Sequence, residues 1–166
     1  MDILGLPIPD AGPVFLVALA IHVAAGLTCV SCGAVAALSR KGGGVHRRFG
    51  RVYFWGLAVV FATMSVMAAI RWRENAHLFV VGAVAFVAGC AGYLDRRRRL
   101  SDRVHIAAMG LSYVLLLTGF YIDNGPHLPI WDRLPAWTHW TLPGLIGIPI
   151  IFRALKRRQP AKEETS

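Results

Sequence analysis

Five long apolar stretches, parted by short links rich in arginine, constrain this chain more than anything else in it: roughly residues 13–38, 52–70, 76–94, 104–121 and 138–155. At about 1.5 Å of rise per residue, a helix of about 20 residues crosses a hydrocarbon core about 30 Å thick. The first four stretches qualify outright. The fifth, interrupted by Pro143 and Pro149, qualifies if Trp137 and Trp140 start it at the headgroup level, which tryptophan favours. Backbone amides in lipid find no water, so such segments must be helices or a closed barrel, and runs without apolar/polar alternation read as helices. The expected fold is all-α, a polytopic transmembrane helical bundle of five spans forming a single domain over residues 1–166.

In a soluble protein a net charge of +9 would suggest nucleic acid. Here the placement of that charge points to a bilayer instead. Arg40, Lys41, Arg47, Arg48 and Arg51 lie in the first link, Arg96 to Arg99 and Arg103 in the third, and Arg153, Lys156, Arg157, Arg158 and Lys162 in the tail. Only Arg71, Arg73 and Arg133 fall on the other side. The positive-inside rule then expects the N-terminus outside and the C-terminus inside a bacterial inner (cytoplasmic) membrane, the chain passing several times. The opening, Met1 to Gly12, carries Asp2 and Asp10 and no basic residue, so the first helix reads as retained rather than cleaved. The tail after Arg158 is polar and expected to fray. No internal repeat of the inverted-transporter kind is read from the chain.

The first stretch holds His22. At 100° per residue Gly26, Cys29 and Gly33 fall near the same line, with Ala18 and Ala36 extending a strip of small residues against which a helix or a flat cofactor can lie closely. One reading of His22 is packing, its ring donating a hydrogen bond to a neighbouring helix; the other is a ligand or proton-handling group, since ionisable residues at membrane depth are costly. From the span centres, His22 lies about 6 Å outward, His77 about 12 Å and Met64 about 4 to 5 Å. His22 with His77, or His22 with Met64, could clasp the iron of haem b. His46 and His105 form a second, inner layer, and two histidine layers resemble the layout of two-haem b-type membrane cytochromes. Histidines so near the rims also serve as interfacial anchors or caps.

Cys29 and Cys32 spell C-V-S-C inside the first stretch, where apolar surroundings quench thiols and cysteine acts as a small hydrophobe. The first link, S-R-K-G-G-G-V-H-R-R-F-G-R-V-Y, offers a glycine bend whose amides could face an anion, but it lacks the P-loop spacing. Its Lys41, Arg47, Arg48 and Arg51 suit the headgroups of anionic lipids. The outer link, 122–141, contains Asp123, His127, Asp132 and His139 among several prolines and tryptophans; their irregular spacing reads as a stiff interfacial cap rather than a metal site.

The string His22, Ala25, Gly26, then Lys41, Gly42, His46, Arg47, Gly50, Arg51, Val52 and Tyr53 resembles the signature of an uncharacterised family of bacterial multi-span membrane proteins, a domain of unknown function. The residues His105, Met109, Gly110, Ser112, Tyr113, Asp123, Asn124, Gly125, Pro126 and Trp131 are similar to the later segment of some members. That resemblance implies an all-helical membrane protein and lends interest to His22, Lys41, His46, Arg47 and His105, but no activity. Two function classes arise from the residues. One is a small electron-transfer bundle binding haem b through His22, His77, His46, His105 or Met64, with a quinone or other redox partner. The other is a cofactor-free transport, sensing or scaffolding component. Self-association into a homo-oligomer through the small-residue face fits either, and catalysis is left open.

Overall fold

In the computed structural model, residues 2–3, 6–7, 12–98 and 101–157 are described. The sequence expectations for Arg99, Arg158, Lys162 and the polar tail lie outside these residues. The fold is all-α apart from one short hairpin near the start, β1 (Asp2–Ile3) paired antiparallel with β2 (Leu6–Pro7). Five helices come after it: α1 (Gly12–Leu38), α2 (Gly44–Ile70), α3 (Trp72–Arg98), α4 (Asp102–Asn124) and α5 (Ala136–Lys156). Two 3₁₀ turns, Gly125–His127 and Trp131–Arg133, join α4 to α5.

Among the described residues four helices, α1 to α4, are long and apolar enough to cross a membrane. The sequence reading expects five. α5 is a 21-residue helix, but its threonines, prolines, glycines and His139 dilute its apolar character below that of the others. The helices also outrun the apolar stretches. α2 opens at Gly44 rather than Val52, because hydropathy marks where lipid lies, whereas helical hydrogen bonding continues through His46, Arg47, Arg48 and Arg51. At 27 residues, each of α1 to α3 is about 40 Å long and exceeds a hydrocarbon core by more than a turn.

The chain divides into two compact units, Met1–Val80 and Val81–Ser166. In the first, α1 and α2 pack along their length as an antiparallel hairpin. Ala18, Cys29, Gly33 and Ala36 of the small-residue strip are all buried, and Cys29 sits so close to Gly56 that a Cβ there would lie 2.6 Å from its Sγ. Toward the far end Phe15 and Ala18 meet Met64, Met67 and Ala68 in an apolar cluster, with Leu19, Leu78 and Phe79 packed on it. The link turns at Gly42, whose φ of 79° glycine adopts without the strain a side chain would bring, and the Gly43 N–H closes the turn on the Arg40 carbonyl at 3.1 Å. That amide is committed to the bend rather than offered to an anion.

In the second unit α5 runs antiparallel to α4, large residues of one facing small residues of the other. Ile151 lies against Gly110, Val114 against Gly147 and His139 against Gly125. At Gly147 a Cβ would stand 2.2 Å from Val114 Cγ2, so this approach is closed to any larger residue unless the helices part. Ser101 caps α4 by accepting from the Val104 N–H at 3.5 Å, while the buried Asp95 accepts from the Ser101 N–H at 3.3 Å, tying the turn between α3 and α4.

Candidate functional site

His22, His46, His105 and His139 bond to main-chain carbonyls, each joining two elements. His22 on α1 places Nδ1 at 3.2 Å from the Val60 carbonyl and 3.0 Å from Thr63 Oγ1, both on α2. His46, in the first turn of α2, places Nδ1 at 2.8 Å from the Ala36 carbonyl of α1. His105, in the first turn of α4, places Nδ1 at 2.9 Å from the Gly92 carbonyl of α3. A carbonyl can only accept, so in each of these rings the Nδ1 carries the proton and donates it. When the imidazole is neutral its lone pair is then on Nε2. His139 is set the other way round, its Nε2 donating to the Trp131 carbonyl at 3.2 Å.

The acceptors differ: the Val60 and Gly92 carbonyls lie within α2 and α3, whereas the Ala36 carbonyl lies in the last turn of α1, where carbonyls have no intrahelical partner and leaving them bare is costly near lipid. At the end of α1 the Lys41 ammonium donates to the Ala37 carbonyl at 2.6 Å and reaches the Ala36 carbonyl at 3.5 Å, where His46 also donates. A cation and an imidazole thus finish α1, and the imidazole ties it to α2. Lys41, expected on sequence grounds at a lipid headgroup, is drawn into this capping role.

His46 and His105 belong one to each unit, and each is engaged within its own. Their shared role has a sequence trace that the reading of the chain missed: V-H-x3-G-x2-Y at Val45 to Tyr53 and V-H-x4-G-x2-Y at Val104 to Tyr113. Two helices of the same chain open with patterns that differ by one residue in spacing, and each uses the histidine on a main-chain carbonyl of the helix before it. His77, in the first unit with His22, is exposed. Met64 is 5% exposed and packed in the cluster with Phe15, Ala18, Met67 and Ala68, so its thioether is occupied with apolar neighbours.

Cys29 is buried at 0% exposure and lies 3.5 Å from the Tyr53 carbonyl, with Sγ over Gly56. It fills the α1/α2 interface as a small hydrophobe. Cys32 is half-buried, and the three cysteines are free thiols.

The link between α4 and α5 is a folded cap. His139, 5% exposed, lies with its ring against Gly125, where a Cβ would come within 2.7 to 2.9 Å of the imidazole. Trp131 stacks on Tyr121 with ring centroids 4.5 Å apart. Ile130 adopts φ 77°, a conformation that a β-branched residue enters only when its surroundings force it. Asp123, His127 and Asp132 are exposed while His139 faces inward, so the four do not converge. Among the described residues no three side chains of the metal-binding kind cluster.

No model of a known protein family, no curated protein and no solved structure matches the chain.

Proposed function

We propose that this chain is a five-span protein of the bacterial inner membrane, N-terminus outside and C-terminus inside, that holds a b-type haem in its outer half and passes electrons between a quinone or other donor and an acceptor. The observation that carries the haem reading is the bond from His22 Nδ1 to the Val60 carbonyl. It fixes the ring and leaves the neutral imidazole's lone pair on Nε2, the arrangement in which main-chain carbonyls orient metal-bound histidines. Of the partners suggested by sequence, His77 fits better than Met64, whose burial among apolar side chains already accounts for it. The His22 ring is bonded across to Val60 and Thr63 of α2, so a haem held by its Nε2 would have to approach from outside the α1/α2 contact. When bound, haem supplies a one-electron couple tuned by its axial ligands and by burial. Thr63 and Val60 orient the ring of His22, and the apolar cluster beyond them keeps water away.

The fifth span rests on packing rather than on hydropathy. α5 lies along α4 from Gly125 and His139 at one end to Gly110 and Ile151 at the other, about 18 to 22 Å of shared length. Where α4 crosses the bilayer, α5 crosses with it. The resemblance to the uncharacterised multi-span family belongs to the same proposal.

A second reading, a cofactor-free transport, sensing or scaffolding component, draws on a specific observation as well: the histidine bonds to Val60, Ala36 and Gly92 already close the helix pairs without any ligand. An absorption spectrum decides between them. Protein purified in detergent from haem-replete cells should show a Soret band that is lost in His22→Ala and kept in Met64→Leu. A colourless preparation removes the haem and leaves the second reading.

A further inference from the structure

Between α1 and α2 runs a groove of about 620 Å³ lined by Ile21, Ala24, Thr28, Trp55, Val59 and, at one end, Arg51. We propose that it is a binding site for one anionic phospholipid of the inner leaflet, the phosphate on Arg51 and the start of an acyl chain along the groove. This is independent of the haem reading and uses only the inner placement of the first link.

Three observations carry it. The first is charge. Arg51 makes no hydrogen bond or ion pair with any described residue, and no Asp or Glu occurs anywhere from residue 12 to residue 70, so the hairpin itself contains no counter-charge. A guanidinium at the edge of the apolar region, with no acid on its own hairpin, is matched by an anion from outside, and the planar fork of arginine suits a phosphate. The second is polarity. Arg51 is about 12 Å along α2 from Val59, so the groove runs from a cation at the link side to purely aliphatic walls toward mid-membrane. That is the order of a phospholipid in the cytoplasmic leaflet, headgroup first and chain after. The third is shape. Ala24, Ala25 and Gly56 are small, while the larger side chains of Ile21, Val52, Trp55 and Val59 line the groove beside them.

Arg51 differs in this from its basic neighbours. Lys41 is committed to the Ala36 and Ala37 carbonyls, and Arg47 and Arg48 do not line the groove. The diffuse attraction of a basic link for anionic lipid thus resolves into one positioned contact and several general ones.

The test uses the full chain in detergent, exchanged against phosphatidylglycerol or phosphatidylcholine, with the bound lipid counted by native mass spectrometry. One phosphatidylglycerol should be retained in preference to phosphatidylcholine, and Arg51→Gln should weaken that retention about tenfold, the usual worth of a charge-assisted contact. Ala24→Phe, which fills the exposed trough without entering the α1/α2 contact, should weaken it comparably, and Arg48→Gln should leave it unchanged. The proposal is overturned if Arg48→Gln and Arg51→Gln act alike, if both lipids are retained equally, if Ala24→Phe has no effect, or if millimolar inorganic phosphate displaces the lipid. The last result would mark an anion site without a chain. Circular dichroism of each variant separates loss of binding from loss of fold.

Discussion

Gly147→Ala is the sharpest test of how α4 and α5 meet. The added methyl would stand 2.2 Å from Val114 Cγ2, whereas carbons in ordinary contact are about 3.5 to 4.0 Å apart. Val114 is buried and β-branched, so its χ1 has little room to turn away, and the clash must be relieved by parting the helices. Overpacking of this kind costs about 1–3 kcal/mol. Alanine also gains about 1 kcal/mol over glycine in helix propensity, which would blur a comparison with the wild type. Gly144→Ala removes that ambiguity: it sits one turn away in the same helix, gains the same propensity, and its new methyl meets only Ile148 Cδ1 at an ordinary 3.8 Å. The difference between the two variants is therefore the overpacking alone. For a chain of this size about 2 kcal/mol corresponds to an apparent Tm lower by about 4–8 °C, read by thermal denaturation in detergent. Val114→Ala placed in the Gly147→Ala background should recover part of that loss, a coupling of about 1 kcal/mol or more. Equal melting of Gly147→Ala and Gly144→Ala would refute the α4/α5 contact, and the packing case for a fifth span would go with it.

Other outcomes rest on the same geometry. His46→Ala and His105→Ala should each cost about 0.5–1.5 kcal/mol, measured as earlier melting and as faster amide exchange in the first turn of α2 or α4, while His127→Ala should be neutral. Cys29 should resist N-ethylmaleimide in the folded protein and react once it is denatured; alkylation of Cys29 at the rate of Cys32 would contradict its burial. A reporter that is active only in the cytoplasm should be active when fused after Lys156 and silent when fused at residue 128, and the reverse pattern would invert the proposed topology. Gly125→Ala should displace the His139 ring and loosen the cap between α4 and α5, seen as increased proteolysis between Pro126 and Pro135 with α1 and α2 unaffected.

The sequence reading found the helices because lipid demands long uninterrupted apolar runs, and the strip of Ala18, Cys29, Gly33 and Ala36 was legible because close helix contact demands small side chains at helical spacing. The helix ends were not, since Gly44 to Arg51 is helical by hydrogen bonding although its arginines, histidine and glycines break up any apolar run. Nor was the use of His46 and His105 legible, because their acceptors are main-chain carbonyls, which every residue has and no sequence distinguishes. Gly147 and Val114 look ordinary apart and acquire meaning only as a pair, and Arg51 stood out from Arg47 and Arg48 only once the groove beside it was seen.

The prolines of α5 carry one more consequence. The helix that carries Pro143 and Pro149 falls short of the hydropathy of α1 to α4 and so partitions less readily into a bilayer on its own, yet its small and large residues are matched to those of α4. On the proposed topology the order of synthesis then matters: α4 is already seated when α5 leaves the ribosome, and it offers a protein surface in place of acyl chains. The last helix enters the membrane as a guest of the one before it, so damage to α4 at Gly110 or Val114 is felt as misplacement of the C-terminus.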